Sequence, residues 1–116
     1  MKKMGLAFLF SNLLIHSASA LADLSDDEYR ACSVVGTTSE AALTMRYDGM
    51  SIDETNAQLE DLAEGFRHIS GTSITVMVSE AYQRPYRRSA SDQRLEAADF
   101  GNVYYNGCIR IRELQK

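Results

Sequence analysis

Cys32 and Cys108 are the only cysteines of the chain and stand 76 positions apart. If they are bonded, the segments around them must meet in space whatever lies between. An even cysteine count in a short exported chain reads as a disulfide, because that compartment is oxidising. Two buried free thiols are the alternative. The chain-entropy estimate for so long a loop is about 4.5 kcal/mol, which would be much of the net stability of so small a domain.

Export is legible at the start of the chain. Lys2 and Lys3 precede an apolar stretch from Met4 to Ile15, and Ser17-Ala18-Ser19-Ala20 supplies the small residues that signal peptidase reads. The stretch is broken by Ser11 and Asn12, and it falls short of the about 20 residues that a spanning helix needs. Residues 1–20 are therefore expected to be a signal peptide, cleaved after Ala20. Residues 21–116 are expected to be a single domain in the periplasm or secreted, with no stable membrane insertion. An uncleaved anchor is the alternative. Ten basic and sixteen acidic residues lie beyond Ala20, a balance of −6.

Capping boxes divide this part into helices. Ser25-Asp26-Asp27-Glu28 opens the first, expected over 26–47, with Tyr29, Cys32, Val35, Gly36, Ala42, Leu43 and Tyr47 approximating one face. Thr37-Thr38-Ser39 weakens that stripe, and Asp48-Gly49 offers a left-handed stop. Ser51-Ile52-Asp53-Glu54 opens a second helix over 52–69, where Ile52, Thr55, Leu59, Leu62, Phe66 and Ile69 recur at spacings of three and four. Gly71 closes it. Ile74 to Val78 is β-branched enough for a strand, yet Ile74, Met77, Val78, Ala81 and Tyr82 also share a helix face, which favours a helix over 73–83 before Pro85. A fourth helix over 92–111 sets Ala97, Phe100, Tyr104, Cys108 and Ile111 on one side. Gly101 and Gly107 oppose it, and Asn106-Gly107 is a hairpin signal.

Four helices in up-down order bring the start of the first beside the end of the fourth, where Cys32 and Cys108 lie. The expected fold is therefore an all-α, small four-helix bundle with one disulfide. An α+β form, with a C-terminal hairpin and strands near 74–78, 102–105 and 108–112, is the alternative. Cys32, Arg46-x-x-Gly49-x-Ser51, Ala81-Tyr82-x-x-Pro85, Phe100 and Cys108 together resemble a layout found in short exported helical proteins of Gram-negative bacteria and their phages. The resemblance covers nearly the whole exported part. It implies an all-α fold with one disulfide, and it brings no catalytic residue.

Little in the inventory supports catalysis. His68 is the sole histidine beyond residue 20 and accompanies no nucleophile motif. No phosphate loop, metal-ligand spacing or cofactor motif is present. Glu60, Asp61 and Glu64 sit opposite the apolar stripe, as a solvated face would. Charge is more informative. Residues 21–65 hold eleven acids and two bases, whereas 66–116 hold five acids and eight bases. Arg84-Pro85-Tyr86-Arg87-Arg88 concentrates three arginines beside Tyr82. Arginine and tyrosine are enriched at binding hot spots, and guanidinium groups suit carboxylates. Tyr82, Arg84, Tyr86, Arg87 and Arg88 are the candidate binding residues; a solubilising loop paired with the acidic helix is the plainer possibility. The expected function is a non-enzymatic module that binds another envelope protein, as an inhibitor, an immunity-type partner or a phage-encoded host modifier. A cell-wall glycan hydrolase using Glu60 or Glu64, and an acid-stress chaperone, are the alternatives. Nucleic acid is a poor candidate partner for an acidic exported chain.

Overall fold

The computed structural model describes residues 24–116, so the expected signal peptide lies outside the described residues. All regular structure there is helical, as expected, and the α+β alternative is not supported. The helices are α1 (Asp26–Tyr47), α2 (Ile52–Leu59), α3 (Ala63–Ser70), α4 (Ile74–Gln83) and α5 (Ala90–Leu114). Both capping boxes form. The Ser25 and Ser51 hydroxyls accept from the backbone N–H of Glu28 and Glu54, whose carboxylates accept from the N–H of Ser25 and Ser51. Gly49 and Gly71 take the left-handed conformation that ends α1 and α3.

The two long helices, α1 and α5, run antiparallel and form the main packing of the molecule. Gly36 and Gly101 make their close approach possible: a Cβ built on Gly101 would lie 2.8 Å from the Gly36 carbonyl oxygen. The polar centre of α1 does not break its inner face. Thr38 and Ser39 are buried, and their hydroxyls donate to the carbonyls of Val34 and Val35, four residues back. Leu43, Phe66, Met77, Val78, Ala81 and Phe100 complete the core.

Cys32 and Cys108 are bonded, with Cα atoms 5.5 Å apart and both residues buried. At the same end of the molecule Lys116 Nζ lies 2.8 Å from Glu28 Oε1. That hydrogen bond, followed by the one from the Ser25 N–H, holds the Glu28 carboxyl below its ordinary value.

Two expectations need correction. The expected continuous helix over 52–69 is interrupted by a 3-10 turn at Glu60–Leu62. A tighter turn changes the phase of the face, so Thr55, Leu59 and Phe66 are buried while Leu62 is 47% exposed. The fourth helix exceeds its expected bounds at both ends, from Ala90 to Leu114. Ser89 caps it by accepting from the Asp92 N–H, and its packing on α1 overrides the hairpin signal of Asn106-Gly107.

Candidate functional site: the arginine–tyrosine loop

Residues 84–89 connect α4 to α5. Pro85 has no N–H, and it holds Arg84 in extended backbone, which stops α4. The loop is then fixed from beneath by a residue of α1. Arg46 Nη1 donates to the carbonyls of Ala81 at 3.0 Å and Arg84 at 2.6 Å, which satisfies the exposed end of α4. The same guanidinium lies 5.5 Å from the ring centroids of both Tyr82 and Tyr86. Tyr47 adds an edge-on contact to Tyr86, with centroids 5.3 Å apart, and its hydroxyl donates to the Pro85 carbonyl at 2.9 Å. Gln93 of α5 donates to the Arg87 carbonyl. Residues 84–87 are thereby tied to α1 and α5.

The five candidate binding residues gather in this one region, but they do different things. Tyr82 is half-buried. Its hydroxyl donates to the Met50 carbonyl at 2.6 Å and accepts from the buried Thr55 at 2.7 Å, so its polar end is occupied inside the molecule. Arg84 is folded back over Phe100, 5.2 Å from the ring centroid, with Asp99 at 3.3 Å and Glu96 at 4.0 Å. Arg87 reaches the other oxygen of Glu96 at 3.9 Å and keeps about half its side chain exposed. The partners of these arginines are thus on α5, not on the acidic helices of the first half. Arg88 and Tyr86 are exposed, and Arg88 makes no ion pair or side-chain hydrogen bond among the described residues. Tyr86, Arg87 and Arg88 consequently form the outward rim, with exposed Arg94 one turn into α5.

Composition draws attention to the arginines of the loop, whereas nothing in the sequence marks Glu96 and Asp99 as their partners or Arg46 as the anchor of the loop. Each is separated from the loop in sequence or faces it from another helix, and no local pattern signals that pairing. Glu60 and Glu64 both line an open cleft on the opposite limb, exposed to water, without the apolar enclosure that a glycosidase acid needs. His68 is exposed on α3, and no group of three potential metal-ligating residues gathers among the described residues. No helix among them is long and apolar enough to cross a membrane. Comparison with protein-family models, with curated proteins and with solved structures finds no match.

Proposed function

We propose that the chain is a non-enzymatic binding module of the periplasm or the secreted space, which docks on an acidic surface of another envelope protein. The observation that carries this reading is the Arg46 anchor. A surface loop that merely keeps a protein soluble needs no guanidinium set over two tyrosine rings and hydrogen-bonded to two carbonyls. Holding the loop in one shape lowers the ordering cost of association and leaves Tyr86, Arg87 and Arg88 as a prepared contact. The signal-like leader and the disulfide support an oxidising compartment, and the resemblance to exported single-disulfide proteins points the same way.

The test is affinity capture from envelope extract, followed by titration of the captured partner with the Arg87→Ser/Arg88→Ser double variant. Arg84 is left in place, because its contacts with Phe100, Glu96 and Asp99 belong to the fold. Affinity should fall about tenfold or more, and the wild-type affinity should weaken with added salt. Unchanged affinity in the folded double variant makes the rim ordinary solvated surface and removes the proposal.

A further inference from the structure

Gln93, Glu96 and Asp99 follow one another at intervals of three on α5 and present a polar row to the loop. Their partners differ. Gln93 donates to the Arg87 carbonyl at 2.9 Å, and Asp99 accepts a hydrogen bond from Arg84 Nη2 at 3.3 Å. Glu96 lies between them and sets one carboxylate against two arginines. Its Oε1 is 4.0 Å from Arg84 Nη1, and its Oε2 is 3.9 Å from Arg87 Nη2. The Glu96 side chain is only 12% exposed, so this carboxylate is turned to the arginines and largely covered from water.

The two arginines are not held alike. Arg84 lies over the Phe100 ring and is hydrogen-bonded to Asp99, so it keeps its place without Glu96. Arg87 has Glu96 as its one ion-pair partner among the described residues, at a separation longer than a hydrogen bond. Its backbone is fixed by other groups, with Gln93 at its own carbonyl, Arg46 at the Arg84 carbonyl and Tyr47 at the Pro85 carbonyl. Loss of the Glu96 charge therefore frees the Arg87 side chain and leaves the loop in shape. A carboxylate arriving from outside must draw the Arg87 guanidinium away from Glu96 or rest beside a second negative charge. Both oppose its binding.

We propose that Glu96 is a built-in competitor for the carboxylate of an acidic partner at Arg87, and that it holds the affinity of the loop for acidic surfaces below what the arginines alone would give. The inference rests on the reading of the loop as a docking site and adds the residue that restrains it. Arg88 is exposed and makes no ion pair among the described residues, so it is not restrained in this way. A run of carboxylates reaches Arg88 as well as Arg87, and it binds despite Glu96.

The probe is hexaglutamate blocked at both termini, titrated at physiological ionic strength and followed through the backbone amide resonances of 84–89. It should shift them saturably, and Glu96→Gln should bind it about threefold more tightly or better, the scale of a partly exposed ion pair. Asp99→Asn removes the same charge three residues away and leaves Arg87 and Glu96 together, so it should change affinity by less than about twofold. In the Arg87→Ser background, Glu96→Gln should bring no gain, because the contested group is gone. Glutamine keeps the shape of Glu96, and Arg84 retains Phe100 and Asp99, so circular dichroism should show an unchanged fold. Equal or weaker binding by Glu96→Gln, an equal gain in Asp99→Asn, or a gain that survives Arg87→Ser would each overturn the proposal and leave the docking role of the loop standing. Absence of shifts at 84–89 in both the wild type and Glu96→Gln would remove the docking reading itself, and this inference with it.

Discussion

Tyr104 shows how a single polar contact ties α5 to α4. Its ring lies between Phe66 and Phe100, at centroid distances of 6.1 and 5.3 Å, and its hydroxyl donates to the Glu80 carboxylate. Burial first, and then the hydrogen bond and charge of Glu80, push the phenol above its ordinary value of 10.0. The folded state therefore holds this proton more tightly than the unfolded chain does. The stability it contributes is complete below the ordinary phenol value and is lost as the pH rises beyond it. Melting temperatures of wild type and Tyr104→Phe should accordingly differ by a constant offset up to pH 10.0, with the wild type the more stable, and converge at higher pH. An offset that stays constant through the alkaline range would show that the folded state does not hold this proton more tightly than the unfolded chain. Arg46 belongs to the same scale. The sequence places it in the layout of the resemblance and as a base in the last turn of a helix, a position the helix dipole alone would explain. Its role as an anchor for 84–88 arises from contacts 35 and 38 residues away.

Elements whose boundaries are encoded locally are legible in the sequence, and those shaped by neighbours are not. The span of α1 follows from a capping box at one end and a left-handed glycine at the other, both of which act within a single turn. The β-branched run from Ile74 to Val78 is helical because Ser73 caps it and Ile74, Met77 and Val78 meet the core on one face. The 3-10 turn after α2 has no proline or glycine at Glu60–Leu62 to announce it. Periodicity therefore reads straight through. Glycines show the same division, since Gly101 and Gly107 look equally unfavourable in a helix. The structure separates them: a Cβ on Gly101 meets the Gly36 carbonyl at 2.8 Å and the Glu40 Cβ at 3.0 Å, while one on Gly107 meets nothing within 4 Å. Gly107→Ala should stabilise the protein by about 0.5–1 kcal/mol through helix propensity. Gly101→Ala should destabilise it by roughly 1–3 kcal/mol, because α1 and α5 must move apart. Urea denaturation midpoints of the two variants should fall on opposite sides of the wild type; midpoints shifted the same way would refute the close-crossing account.

At the scale of the whole molecule, the disulfide joins the two helices that form the main packing, at the end where chain entry and chain exit meet. Cys32 and Cys108 are 0% and 2% exposed, so a soluble reductant reaches them only when α1 and α5 separate locally. Reduction of the native protein should therefore be slow and should speed up in sub-denaturing urea, as the open population grows. Once reduced, the unfolded chain regains the freedom of a closed loop with 76 positions between its ends. The loss of stability should approach about 4.5 kcal/mol if chain entropy dominates. Domains of this size are stable by only about 5–15 kcal/mol in all, so the reduced protein should unfold at a much lower urea midpoint while keeping its helical circular dichroism in water. The Cys32→Ala/Cys108→Ala variant should behave like the reduced protein, which separates the effect of the bond from any effect of free thiols. The α1–α5 crossing would then be held by packing alone, through Val35, Gly36, Ala97 and Gly101. Equal midpoints for oxidised and reduced protein would mean that the bond does not restrict the unfolded chain enough to add to stability, and would refute the chain-entropy account.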